Sequence, residues 1–374
     1  MKRILKPLLQ LVSLFLVLIS LILFVSQVLC FQCSSDEARI KLFRNESQNS
    51  LEVVLFGSSA VRADFIPTKA YENHGIRCFD YSINHMPLPA TMYMIQEVLQ
   101  TQNPELIVID INGITYCNEE ITTNKSVALL ELMQEGEIKD AALKELTTKD
   151  SWENNIPFIK YHSNIWNLSR CLKYSSYYEK FGDNKTILKG YTTNPAGLLK
   201  YEDDEILDHT KIPDDVDFEF NDYEKNAVST LLDYCDTIKN TTQILFVRFP
   251  RLTIRNYNES ELKYINEMER YVVNRGYDFV DLSDYIQDIG LQTQEDFVDE
   301  THLNHFGAEK FTDYFSKYIL FNYDITRNYG LSDWDKCVEY ANKYYELIKE
   351  GTLKENHKEY FELDLAREFG VFGI

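Results

Sequence analysis

Three short stretches carry side chains suited to chemistry: Gly57-Ser58-Ser59, Asp110-Ile-Asn112 and Asp299-Glu-Thr-His302. A serine hydroxyl is a weak nucleophile until a base takes its proton. The base in turn works best when a carboxylate orients it. Asp299-x-x-His302 supplies both on one tight turn, with one imidazole nitrogen facing the carboxylate and the other facing outward. Ser59 is therefore the expected nucleophile, His302 the general base and Asp299 the orienting acid. Each residue also has a plainer reading. A serine at a helix start is usually a cap, and Asp299 with His302 can be a simple loop hydrogen bond. Asn112 is either an oxyanion donor or a turn residue before Gly113. His85 is a rival base with no carboxylate near it in sequence. The 7 histidines form no ligand-spaced cluster with acids, so neither a metal nor another cofactor is expected.

The surrounding pattern places these stretches. Leu51–Phe56 is an apolar run closed by Gly57, which reads as a strand followed by a tight turn and a helix start. Arg77–Ser82 and Leu106–Ile111 read as further strands, separated by a helix over Ala90–Gln102 that Asn103-Pro104 stops. The order then breaks over residues 118–222, which are polar and rich in aromatics (Trp152, Phe158, Tyr161, Trp166, Tyr174, Tyr177, Tyr178). This block reads as an insertion or lid, or equally as ordinary surface helices, with Glu131–Leu146 helical. Alternation returns with a helix over Asp222–Lys239, a strand over Gln243–Arg248 and a helix over Ser260–Arg275. A strand over Phe279–Leu282 and a helix over Phe306–Leu320 complete it. Such alternation implies a mainly parallel sheet sandwiched by helices. Ligands then bind beyond the carboxyl ends of the strands, where strand order reverses. Ser59 and the Asp299–His302 turn fall at that edge. Ser332-Asp-Trp-Asp335 predicts a capping box opening one more helix.

The 374 residues fall into an anchor over 1–35, an α/β domain over 36–320 and a helical C-terminal extension over 321–374. No charged residue occurs from Pro7 to Ser35, and Met1–Lys6 is basic. This predicts an uncleaved signal anchor crossing a membrane once, its N-terminus inside and the bulk of the chain outside. A net charge of −21 excludes ready binding to nucleic acid. Cys30 and Cys33 lie at the membrane end, and the other five cysteines are scattered as small apolar side chains.

The two end motifs together resemble the SGNH (GDSL-like) hydrolase superfamily of esterases and acyltransferases. Gly57-Ser58-Ser59 is similar to its first block, with Ser59 as nucleophile. Asp299-Glu-Thr-His302-Leu-Asn304, followed by Gly307, is similar to its last block. The similarity covers about Leu51–Cys117 and Asp222–Leu320. It implies a flavodoxin-like three-layer α/β/α sandwich with a central parallel sheet. It also implies an oxyanion hole, expected here from the Ser59 backbone N–H and Asn112, with Asn84 in reserve. The second-block glycine has no match in Ser82–Pro87, and the third block reads Asp110-Ile-Asn112-Gly113.

The Gly-Ser-Ser form and the anchor look most like membrane-tethered members that modify envelope polymers. Examples are the D-alanine transfer protein of teichoic acid modification and the alginate O-acetylation proteins. The resemblance implies an extracytoplasmic site and a polysaccharide or teichoic-acid-like acceptor. It also implies transfer of acetyl or another small acyl group, and a membrane-bound O-acyltransferase as partner. Arg62, Arg248 and Arg251 would grip an anionic polymer by fork-like hydrogen bonds, or else be ordinary surface charge. Two other functions stay open: an exported carbohydrate esterase, and a non-catalytic protein that binds or assembles polysaccharide on the same fold.

Overall fold

Five short apolar runs pair side by side into one parallel sheet: β1 (Val53–Gly57), β2 (Cys78–Ser82), β3 (Leu106–Asp110), β4 (Gln243–Arg248) and β5 (Asp278–Asp281). Their order is β2-β1-β3-β4-β5, all neighbours parallel. The computed structural model describes residues 2–29, 40, 42–147, 165–166, 168–169, 171–172, 186–192, 199–202, 204–207 and 218–351. Cys30, Cys33, the aromatics Trp152, Phe158, Tyr161, Tyr174, Tyr177 and Tyr178, and the tail after Gly351 lie outside these residues.

The sheet is covered on both faces, which is why its central strands are apolar throughout rather than alternating. Val54, Phe56, Ile107, Ile109 and Phe246 point to one side. There they meet α4 (Leu88–Val98), α7 (Asp222–Ile238) and α8 (Leu262–Asn274). Val53, Leu55, Val108, Leu245 and Val247 point to the other side. That face is closed by α2 (Ser59–Asp64), α3 (Pro67–His74) and α9 (His305–Asn322). The N-terminal α1 (Lys2–Leu29) is separate in character. Its segment Lys6–Ser26 spans 21 residues, which at about 1.5 Å each is long enough, and apolar enough, to cross a bilayer.

The 118–222 block begins as two helices, α5 (Glu119–Leu132) and α6 (Glu137–Leu146). Leu129, Ala142 and Leu146 join the core beside α4. The expected single helix over Glu131–Leu146 is thus broken at Met133–Gly136, where Gly136 takes a φ of 151°. Farther on, residues 186–192 strap the open edge of β2: Asp80 N–H donates to the Lys189 carbonyl at 3.0 Å. Lys189 is buried against Glu46, its Nζ donating at 2.8 and 2.9 Å. Removing one partner of such a pair costs about 3–5 kcal/mol.

The last helix, α10 (Ser332–Lys349), belongs to the core, with Tyr344 and Tyr345 buried. It has no capping box. Its N-cap is Leu331 without a side-chain cap, so the helix starts one residue earlier than the box requires and Asp335 N–H donates to the Leu331 carbonyl at 2.8 Å. The Tyr71 hydroxyl accepts from Leu331 N–H at 2.9 Å and donates to Asp335 at 3.1 Å. A capping box does form at Asn221 and Glu224, opening α7.

Candidate active site

β1 and β3 are neighbours, yet the chain leaves β1 for β2 on one side and comes back to β3 on the other. The loops after β1 and β3 therefore diverge and open a crevice at the carboxyl edge of the sheet. Ser59 follows β1 as the first residue of α2, where backbone N–H groups lack intrahelical partners. Gly57 is required just before it. A Cβ there would lie 2.7 Å from Val61 Cγ2 and 2.8 Å from Asp110 Cβ.

On the far side of the crevice the chain folds back on itself. Phe297 and Leu303 form an antiparallel bridge, and Val298 N–H donates to the His302 carbonyl at 2.9 Å. This presents Asp299 and His302 from one small loop. Asn304 ends the loop and caps α9, its Oδ1 accepting from the Phe306 and Gly307 N–H groups at 3.0 Å each. Gly307 lets α9 approach Asp296, since a Cβ there would sit 2.5 Å from the Asp296 carbonyl.

The three expected residues meet. His302 Nδ1 lies 2.9 and 3.0 Å from the Asp299 oxygens, and Nε2 lies 2.7 Å from Ser59 Oγ. With Nδ1–H donating to Asp299, Nε2 is left as acceptor for the Ser59 hydroxyl. Thr301 adds its N–H at 2.8 Å and its hydroxyl at 2.9 Å to Asp299 Oδ1. Burial raises the Asp299 carboxyl, but the hydrogen bond and charge of His302, with the Thr301 donors, outweigh it and hold the group down at about 2. Asp299 is thus ionised across the neutral range. His85 plays no part in this array. It is exposed, in the left-handed region at φ 53°, with its ring 5.5 Å from Tyr116.

Behind the crevice runs a buried polar chain. Asp110 Oδ1 accepts from Asn112 Nδ2 at 2.8 Å and from Phe249 N–H at 3.3 Å. Asn112 Oδ1 accepts from Arg251 at 2.9 Å, and Arg251 also lies 3.5 Å from Glu261. Asn84 accepts from Arg62 Nε at 2.8 Å. The arginines differ from expectation. Arg248 is not surface charge and does not reach out to a polymer: it is buried and paired with Asp281 at 2.9 Å, its register partner on β5. Arg251 is buried as well. Arg62 alone of the three is partly exposed.

One site residue had no signal in the sequence. Asp64, at the end of α2, accepts from Leu303 N–H at 2.8 Å and so ties the nucleophile's helix to the His302 loop. Burial pushes its carboxyl well up, against the pull of the Leu303 N–H. Its partner is distant in sequence, so no local pattern announces it.

Asp110 gives a stability prediction. Burial raises its carboxyl to about 7, against the opposing Phe249 N–H and nearby arginines. The folded state thus keeps a proton that the unfolded chain releases near pH 4. Stability from this group is full below about pH 4 and is lost as pH rises to about 7. Asp110→Asn cannot ionise and keeps an oxygen for Asn112 and Phe249. Its melting temperature relative to wild type is expected to rise between pH 5 and pH 8. A difference that is flat or falls over that range would contradict the burial argument.

Among the described residues no group of three His, Cys, Asp or Glu is placed to hold a metal ion. Among the described residues, Cys78, Cys117, Cys171, Cys235 and Cys337 form no disulfide with one another and are buried. No protein-family model matches the chain and no curated protein is significantly similar to it, so what the site does is read from its own geometry.

Proposed function

We propose that the protein is a serine acyltransferase of the SGNH-hydrolase type, anchored in the cell membrane by α1 with its site outside. It moves a small acyl group, acetyl in the simplest case, onto or off hydroxyls of a cell-envelope or secreted polysaccharide. The observation that carries this reading is the unbroken chain Ser59 Oγ–His302 Nε2 and His302 Nδ1–Asp299, at 2.7 and 2.9 Å. Hydrogen-bonding distances of this kind are what base activation of a serine requires. The strand order β2-β1-β3-β4-β5 and the placement of Ser59 beside the strand-order reversal support the fold assignment.

In the first half-reaction the Ser59 proton passes to His302 Nε2 as Oγ bonds to the acyl carbonyl carbon. Asp299 stabilises the imidazolium. The carbon–oxygen bond to the donor alcohol then breaks, and that alcohol leaves with the proton from His302. In the second half-reaction an acceptor hydroxyl gives its proton to His302 and attacks the acyl-serine; the Oγ–acyl bond breaks and Ser59 Oγ takes that proton back from His302. Water as acceptor gives hydrolysis by the same steps. The oxyanion is assigned to the Ser59 backbone N–H and to the Asn112 amide, whose other N–H is held by Asp110. Each such donor is worth about 3–4 kcal/mol in the transition state. A membrane-bound O-acyltransferase fits the anchored topology as the source of the acyl group.

The test uses the full chain in detergent with an activated acetyl ester. Acetyl-Ser59 is expected to build up on rapid quenching. Adding a sugar polyol is expected to speed its decay and to yield the acetylated polyol. Folded protein that never acquires acetyl on Ser59 would sink the reading.

A further inference from the structure

Four aromatic side chains stand along the carboxyl edge of the sheet beside Ser59. His85 follows β2, Tyr116 ends the turn after β3, Tyr257 follows β4, and Tyr201 comes from the 118–222 block. His85 and Tyr116 rings are 5.5 Å apart, and Tyr257 and Tyr201 rings are 6.1 Å apart. The two pairs flank the ends of neighbouring strands β3 and β4, and the Tyr116 phenol lies within electrostatic reach of Tyr257. From β2 to β4 is three inter-strand steps, so the row runs for roughly 14 Å past Ser59.

The loop bearing Tyr257 is held firmly. Ile206–Leu207 pairs antiparallel with Thr253–Ile254, and Arg255 N–H donates to the Glu205 carbonyl at 2.9 Å. Asn258 closes the turn from inside, accepting from Ile254 N–H at 2.7 Å and donating to the Leu252 carbonyl at 3.0 Å. Asn256 takes the left-handed conformation at φ 59°, which leaves Tyr257 61% exposed. Leu252 N–H donates to the Glu300 carbonyl at 2.8 Å, and the Tyr257 hydroxyl bonds the Glu300 carboxylate. Gln294 holds the Tyr201 carbonyl at 2.9 Å. A large exposed ring on so braced a turn offers a flat apolar face with a polar handle.

The charges around this row are negative. Glu300 adjoins Asp299, Glu261 flanks Arg251, and Glu205 faces Tyr201. Of the positive groups nearby, Arg248 is paired with Asp281 and Arg251 with Glu261, while Arg62, Arg255 and Lys200 are outnumbered by the carboxylates of Glu202, Asp204, Glu205, Glu261, Asp299 and Glu300. A polyanion laid along Tyr116, Tyr257 and Tyr201 would meet a net excess of like charge from Glu261, Glu300 and Glu205, which disfavours it. We infer that the row Tyr116–Tyr257–Tyr201 is a subsite for a glycan chain without negative charge, neutral or amine-bearing, whose sugar faces stack on the tyrosines and whose hydroxyls or amines meet Glu300 and Glu261. This rests on the acyl-transfer reading for its consequence, since it selects the acceptor presented to Ser59.

The test measures binding of labelled hexasaccharides from glucomannan, chitosan and alginate to the full chain in detergent. The glucomannan or chitosan hexamer is expected to bind about tenfold or more tightly than the alginate hexamer. Tyr257→Ala is expected to weaken that binding about tenfold, and Tyr257→Phe to retain most of it, because the ring and not the hydroxyl makes the stack. Phe321→Ser, at an 89% exposed aromatic on α9, is expected to change nothing. Alginate binding as tightly as the others, Tyr257→Ala without effect, or no hexamer bound by folded protein would each overturn the subsite. The same preparations are assayed for acetylation of Ser59. Failure there strikes the acyl-enzyme reading, whereas failure of glycan binding with Ser59 still acetylated strikes only the subsite.

Discussion

Ser59→Ala and His302→Ala are each expected to cut turnover of an activated acetyl ester by about four to six orders of magnitude, with little change in melting temperature. The reason is the 2.7 Å contact between Ser59 Oγ and His302 Nε2. Without His302 the hydroxyl keeps its proton. Without Ser59 the imidazole has no nucleophile to activate. Because the two act as one unit, the double variant is expected to be no worse than either single one. If the two losses instead multiplied, independent contributions would be indicated and the shared proton would be refuted. A fall in KM alone, with kcat intact, would likewise contradict the assignment.

Asp299→Asn is expected to cost about 10⁴-fold in kcat. The amide can still bond His302, but it can also donate to Nδ1 and so favour the tautomer with the proton on Nε2, which cannot accept from Ser59. Asp299 is held down at about 2 mainly by His302 and Thr301, working against burial. Its charge is therefore present above about pH 4 and is lost only as pH falls through about 2. No ionisation of Asp299 is therefore expected in the pH–rate profile above about pH 4, and Asp299→Asn is expected to lower that profile throughout without changing its shape there. A wild-type ionisation at about pH 4 that Asp299→Asn abolishes would mean that the carboxylate is not held by His302. A loss of less than about tenfold for Asp299→Asn would leave the carboxylate no orienting role.

What the sequence made legible follows from distance along the chain. The apolar runs Leu51–Phe56 and Leu106–Ile111 announce covered strands because both faces of the sheet are packed. Asp299 and His302 are legible because their contact is made within one turn, and Ser59 because it follows the first strand directly. Asn304 and Gly307 extend that local pattern, one as a cap and the other as a close approach to Asp296. Contacts between distant residues left no such trace. Arg248 reads as surface charge until the β4–β5 register sets Asp281 opposite it. Asp64 carries no local signal, yet it pins Leu303. The expected capping box at Ser332 failed because the helix begins one residue earlier, with Asp335 N–H already bonded to the Leu331 carbonyl, and because Tyr71, far off in the chain, takes the Asp335 carboxylate. Tyr257 gained meaning only once Glu300 and Tyr201 were beside it.

The buried chain from Asp110 through Asn112 to Arg251 has a similar lesson for the site. The Asp110-Ile-Asn112 stretch was visible, but its role as a support was not. Asn112 is fixed at both ends of its amide, by Asp110 and by Arg251, so its buried side chain is held in one orientation behind the crevice. Such support is what keeps an oxyanion donor aimed before the reaction begins.

The most direct test of the account is intact-mass analysis of the full chain after exposure to a fluorophosphonate, with Ser59→Ala and His302→Ala treated alongside. The account predicts one adduct on wild-type protein, mapped to Ser59, none on Ser59→Ala and a severely slowed reaction on His302→Ala. An adduct that persists in Ser59→Ala, or folded wild-type protein that takes up none, would contradict it.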